Sequence, residues 1–161
     1  MRLLFIRHAI AVPARGSLRD EDRPLTAEGE KRFRQTARLL ARVAERPRVI
    51  LTSPHTRAQQ TADIAAQAWG GMETLVVPAL ADGAWPAVCR ALASYDSGDT
   101  VALVGHENWI SEITARLLGS RTRSAFDYRK GGAALIDAQH LERCRGTLLW
   151  FIPPRVFRKV E

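Results

Sequence analysis

The sequence predicts an α/β domain built on a largely parallel central sheet. Two observations carry that prediction. Short apolar runs alternate with longer stretches of helical periodicity, the pattern of strands joined by helical crossovers. Turn residues such as Gly70-Gly71, Pro78, Ser97-Gly98 and Gly119 mark the changes of period. The 161 residues suffice for one domain with a sizeable core. No repeat, linker or low-complexity stretch divides them, so the expectation is a single domain over 1–161.

Leu3 to Ile6 is a four-residue apolar run and reads as the first strand. Ala14 to Pro24 is polar and reads as a loop. Thr26 has the character of an N-cap, with Glu28 and Glu30 in the first turn, where acids suit the helix dipole. Phe33, Ala37, Leu40 and Ala44 then repeat at helical spacing. Val49 to Leu51 is the second strand, and Ser53-Pro54 an expected cap and first-turn pair. The helix after it puts Ala58, Ala62, Ala65 and Trp69 on one face. Thr74 to Val77 is the third strand, Pro86 to Tyr95 a helix and Val101 to Val104 the fourth strand. A helix from Asn108 to Leu118 follows, with Ile110, Ile113 and Leu117 on its inner face. Ala133 to Ile136 and Thr147 to Ile152 read as a late hairpin, and the tail from Pro153 as irregular or lightly structured.

Composition excludes several classes. Apolar residues make up 46% and charged residues 25%, as in ordinary globular proteins. No apolar run approaches the roughly 20 residues of a membrane helix, so no membrane partner is expected. Arg7 and His8 interrupt the apolar start, MRLLFIRHAIAV, which reads as a buried strand of a cytoplasmic protein rather than a signal peptide. Cys89 and Cys144 are far apart, and the four histidines form no ligand pair. Neither a metal nor another cofactor is expected. The net charge of +7 suits an acidic partner. The arginines are spread along the chain and the aromatics do not interleave with a basic stripe, which weighs against nucleic acid.

In open α/β sheets, ligands bind beyond the carboxyl ends of the strands. Arg7-His8 follow the first strand, Ser53-Pro54 and then Arg57 the second, and Gly105-His106-Glu107 the fourth. Two histidines and two arginines thus fall at three strand ends. Guanidinium forks match phosphate oxygens, and Arg57 lies near a helix N-terminus, which favours anions. A neutral imidazole can attack phosphorus near pH 7, and neighbouring arginines disfavour its protonation. The set is one for phosphoryl transfer by positioning and charge stabilisation.

These segments resemble the histidine phosphatase (phosphoglycerate mutase-like) superfamily. LLFIRHAIA is similar to its strand and Arg-His signature, RPLTAEGEKRFRQTARLL to its "PLT..G...A" segment, VILTSPHTRAQQTADI to its "SP..RA.QTA" helix start, and VALVGHENWISEI to its second-histidine motif. The matches run in order over residues 1 to 118. The resemblance implies a three-layer α/β/α sandwich. It also implies a covalent phosphohistidine intermediate on His8, with Arg7, Arg57 and His106 contacting the phosphoryl group and Ser53 shaping the pocket. The short chain, the GHE form and the lack of long insertions resemble the small phosphohistidine phosphatases of the SixA type. That branch implies a phosphohistidine-bearing protein as partner, and inorganic phosphate or sulfate as an occupant of the site. His55 falls at a variable position and is expected to be exposed, as is His140 in a late turn.

Many members of the superfamily carry a leaving-group acid between the third strand and the next helix. Here that segment reads PALADGAWPAV, with Asp82 as its only carboxylate. Asp82 is one candidate proton donor, and Glu107, beside His106, another. An imidazole leaves phosphorus with far less help than an alkoxide, since its conjugate acid has a pKa of about 6.5. A site without a strong acid therefore suits phosphohistidine. The alternatives are a phosphatase of small phosphate esters or anhydrides, and a non-catalytic phosphate- or nucleic-acid-binding module.

Overall fold

The computed structural model describes residues 1–122 and 125–157. Six strands form one sheet: β1 (Arg2–Arg7), β2 (Val49–Thr52), β3 (Thr74–Val76), β4 (Thr100–Gly105), β5 (Ala133–His140) and β6 (Arg145–Ile152). Their order is β3-β2-β4-β1-β5-β6. The first four are mutually parallel, and β5 and β6 run antiparallel as the expected hairpin. The helices are α1 (Ala27–Val43), α2 (Thr56–Ala68), α3 (Trp85–Leu92), α4 (Glu107–Leu117) and a single turn α5 (Pro154–Phe157). The tail expected to be irregular or lightly structured holds that single turn. Arg158 and Lys159 of that tail lie outside the described residues.

Alternation along the strands makes the three layers. On β1, Leu4 and Ile6 enter the core shared with Phe33, Ala37 and Leu40 of α1 and with Ala58, Ala62 and Ala65 of α2. Leu3 and Phe5 enter the opposite core with Val88 and Leu92 of α3 and Ile110, Ile113 and Leu117 of α4. All four β1 side chains are fully buried. Burial of each such side chain contributes about 1.5–3 kcal/mol. This two-sided burial is why the parallel strands read as unbroken apolar runs rather than alternating ones.

Local chemistry sets the helix starts. Thr26 caps α1, its hydroxyl accepting from Gly29 N–H at 2.9 Å. The expected Ser53-Pro54 cap of α2 does not form. His55 holds the cap position with no side-chain bond, and the Ser53 hydroxyl turns to His106 instead, at 2.8 Å from Nε2. Gly70 and Gly71 end α2 with positive φ, a backbone that residues with a Cβ resist. His140, expected in a turn, is the exposed last residue of β5.

The order of strands places the site. β1 lies next to β4, while the chain leaving β1 crosses to β2 on one side of the sheet. Helices α1 and α4 therefore leave neighbouring strand ends toward opposite faces and open a crevice there. Arg7 pairs with Gly105 and Thr52 with Val104, so the residues just beyond, His8, His106 and Ser53, stand together.

Candidate active site

His8 lies at the carboxyl end of β1, 7% exposed. Its backbone N–H extends the ladder to Gly105 O at 2.9 Å. Its ring Nδ1 is 2.8 Å from Ala9 O. A carbonyl only accepts, so Nδ1 carries the proton and donates it. Nε2 therefore carries the lone pair. Burial lowers the His8 pKa to about 4, aided by the charges of Arg57, Arg7 and Lys130 and opposed by the bond to Ala9. The arginines expected to keep this ring neutral contribute, but loss of solvent is the larger cause.

Arg57, in the first turn of α2, is 5% exposed. Its Nε donates to His8 Nε2 at 3.3 Å, and one terminal nitrogen approaches His106 Nδ1 at 3.5 Å. The guanidinium thus turns one edge toward both imidazoles. The other edge donates to Asp20, to the carbonyl at 2.5 Å and to the carboxylate at 2.9 Å. Asp20 comes from a 3-10 turn (Asp20–Asp22) in the polar loop, and Arg23 holds its second oxygen at 2.7 Å. Burial pulls the Asp20 carboxyl upward in pKa, but Arg23 and Arg57 outweigh it and hold it below the ordinary carboxylate range. Sequence reasoning missed Asp20. Its loop shows no periodicity, and its partner lies 37 residues away.

Ser53 and His106 complete the pocket wall. Ser53 Oγ accepts from His55 N–H at 3.3 Å and is 2.8 Å from His106 Nε2. Arg57 offers only N–H donors, so the His106 Nδ1 that faces it accepts, and the ring proton sits on Nε2 and is donated to Ser53 Oγ. The His8 and His106 rings are 5.2 Å apart. Burial lowers the His106 pKa to about 3, with His8, Arg57 and His55 adding to the effect. His55, expected to be exposed, is half-buried, and its ring lies 4.6 Å from that of His106. Its pKa is lowered by burial and by Arg57.

Arg7 is half-buried and donates through a terminal nitrogen to Tyr128 O. Its Nε is buried with no partner among the described residues. A buried N–H without an acceptor is rare, and an anion in the crevice is one way to satisfy it. Burial lowers the Arg7 pKa, against the pull of Glu107 and Asp127; a guanidinium nevertheless stays charged at any working pH. The four residues predicted from strand ends, Arg7, His8, Arg57 and His106, are thus brought to one crevice that suits a tetrahedral oxyanion.

The two candidate proton donors are engaged elsewhere. Asp82 is exposed, and its carboxylate accepts from Ala84 N–H at 3.1 Å. Glu107 is half-buried at the start of α4 and accepts from the Ser111 hydroxyl at 2.9 Å. Neither makes a hydrogen bond to His8, Arg57 or His106 among the described residues. Among those residues, too, no cluster of three or more His, Cys, Asp or Glu could hold a metal ion, and no helix is long and apolar enough to cross a membrane.

Comparison with known proteins places this geometry. The family model of the histidine phosphatase superfamily (branch 1) matches residues 3–87. An uncharacterised protein of the cyanobacterium Picosynechococcus sp. is 34% identical over 135 residues, 82% of each chain. The crystal structure of a protein described as phosphohistidine phosphatase SixA from Agrobacterium tumefaciens superposes with a TM-score of 0.80 at 25% identity. That match covers 95% of this chain and 97% of the other. A protein histidine phosphatase SixA in complex with tungstate superposes equally well, with a TM-score of 0.80 at 24% identity over 97% and 99% of the two chains.

Proposed function

We propose that this chain, which belongs to the histidine phosphatase superfamily and is a phosphatase, works through a phosphoryl group carried covalently on His8 Nε2 and takes that group from phosphohistidine in a protein. One observation carries the reading. The Nδ1–H of His8 is spent on Ala9 O, so the lone pair that faces two arginines and a second histidine is that of Nε2.

The substrate phosphoryl group would enter between His8, Arg57, His106 and Arg7. Its oxygens would take over the Arg57 edge now turned to the two imidazoles and satisfy the Arg7 Nε. His106, held by its Nε2–H bond to Ser53 Oγ, would line the same pocket. His8 Nε2 attacks phosphorus as the bond to the substrate imidazole nitrogen breaks; the electron pair stays on that nitrogen, and the ring, protonated on its other nitrogen, leaves as neutral imidazole. A water then attacks phosphorus from the side the leaving group vacated. The bond to His8 breaks, the lone pair returns to Nε2, and the water proton passes to phosphate and solvent. The donors act on charge that grows on the equatorial oxygens, where fixed dipoles are most effective.

The choice of phosphohistidine rests on the state of the carboxyl groups. Asp20 is the carboxylate at the Arg57 fork, and two arginines keep it ionised. Asp82 accepts from Ala84 N–H and Glu107 from the Ser111 hydroxyl, and neither bonds to His8, Arg57 or His106 among the described residues. An alkoxide leaving group needs a proton from such an acid; an imidazole does not. The likeness to the SixA protein of Agrobacterium tumefaciens supports the same choice.

The test is a substrate panel. Phosphate release from a phosphohistidine-bearing domain is measured beside release from a sugar phosphate and from an acyl phosphate. A clear preference for phosphohistidine is expected. Preference for the sugar phosphate would reverse the assignment in favour of a small-ester phosphatase.

A further inference from the structure

A cleft of about 790 Å³ opens beside the nucleophile, bounded by α1, by the loop 127–131 and by the segment after β6. Arg7 and Ala9, the residues on either side of His8, both line it. The loop is laced to the nucleophile's backbone: Gly131 N–H donates to Arg7 O at 3.1 Å and to His8 O at 3.2 Å, and Gly132 O accepts from Arg7 N–H at 3.0 Å. The cleft thus begins at the residues that flank the nucleophile.

The lining is strongly basic. Arg7, Arg32, Arg129, Lys130 and Arg155 contribute five cations, against Asp127 as the one carboxylate. Asp127 is committed to Arg129 at 2.9 Å, and Arg32 is bridged to Glu28. Lys130 and Arg155 are exposed and have no partner among the described residues. The floor is apolar, from Ile10, Phe33, Phe151 and Pro153. These cations come from several separate elements: β1, α1, the 127–131 loop and α5. Such a spread suits several carboxylates along an extended chain better than one compact anion, and the floor suits an aliphatic side chain between them.

We propose that this cleft is a docking groove for an acidic, apolar-containing segment next to the phosphorylated histidine of the substrate protein. The proposal rests on the phosphohistidine reading above. Attraction of this kind acts on encounter and complex lifetime and weakens with salt. It would separate protein substrates that share the same reacting group, which the crevice alone does not do.

Two phosphohistidine peptides of equal length are compared, one with glutamates flanking the histidine and one with glutamines, together with phosphoramidate as a small substrate. The wild type is expected to prefer the acidic peptide in kcat/KM by about tenfold at low salt, and to lose most of that preference at 0.5 M salt, where the screening length is short. Arg32→Gln combined with Arg155→Gln should abolish the preference and leave phosphoramidate hydrolysis unchanged. Equal hydrolysis of the two peptides by the wild type, or a preference that survives the double variant, overturns the docking groove alone. Hydrolysis of phosphoramidate with neither peptide accepted overturns the protein-phosphohistidine reading, and the groove with it.

Discussion

Asp20 grips the outer edge of the Arg57 guanidinium through both its carbonyl, at 2.5 Å, and its carboxylate, at 2.9 Å, while the inner edge faces His8 and His106. The polar loop is thereby tied to the nucleophile's neighbour, and Arg23 ties it further to Val12 O at 2.8 Å. A fork braced on one edge loses less freedom when its other edge meets an oxyanion.

Asp20→Ala should therefore weaken oxyanion binding and raise KM more than it lowers kcat. One charge-assisted hydrogen bond is worth roughly 1.5–3 kcal/mol, so a loss of about tenfold or more in tungstate affinity is expected. Calorimetric titration with tungstate checks it. Tighter binding in the variant would mean instead that Asp20 competes with the anion for Arg57.

His8→Ala should bring turnover down to background, a loss on the order of a thousandfold or more. It should also abolish the acid-labile phosphoryl label that a rapid quench with radioactive substrate traps on the wild-type protein. Label retained in His8→Ala would place the nucleophile elsewhere.

Ser53→Ala removes the group held at 2.8 Å from His106 Nε2. With no acceptor to hold the proton on Nε2, His106 should spend part of its time protonated on Nδ1, with an N–H turned against Arg57. The expected result is a fall in kcat of about tenfold, comparable to the loss of one weak transition-state donor. Ser53→Thr, which keeps the hydroxyl, should recover part of it. Nitrogen-15 spectra of the His106 ring report the tautomer directly, and an unchanged spectrum in Ser53→Ala would reject this role.

The pH dependence follows from burial. His8 titrates near 4 in the folded chain and near its ordinary 6.5 when unfolded. Between these values the unfolded chain binds a proton that the folded one refuses. The stability that comes from keeping His8 neutral is thus complete above about pH 6.5 and lost as pH falls through about 4. Urea unfolding from pH 4 to 7.5 should show a shallower loss of stability in His8→Ala than in the wild type. Parallel curves for the two proteins would contradict the lowered pKa.

Gly29 bears on stability rather than chemistry. A Cβ built there would stand 2.1 Å from Ile10 O, a backbone oxygen that also accepts from Thr26 N–H at 2.9 Å. Neither atom can swing away, so α1 would have to lift from the strand end that carries His8. Gly29→Ala should cost several kcal/mol, on the scale of severe steric mutations, and thermal denaturation would show it. A melting temperature within a degree or two of the wild type would mean the contact relaxes easily.

The six strands, the helices α1 to α4 and the placement of Arg7, His8, Arg57 and His106 at one sheet edge are legible in the chain alone. Apolar runs bounded by turn residues locate β1, β2 and β4 directly, because strands buried on both faces carry no polar interruption. Arg7, His8, Arg57 and His106 were legible because a parallel sheet sends every strand's carboxyl end to the same edge. Tertiary structure alone decided what those residues touch. Whether Ser53 caps a helix or turns to His106 depends on β2 and β4 being neighbours, which local pattern does not encode. His55 was expected to be exposed, yet the same adjacency draws it against His106. Asp20 lies in a loop without periodicity, and only the packing of that loop on α2 brings its carboxylate to Arg57. The physical reason is common to all three: propensity and periodicity act over a few residues, whereas a hydrogen bond between side chains is fixed by which elements the fold sets side by side.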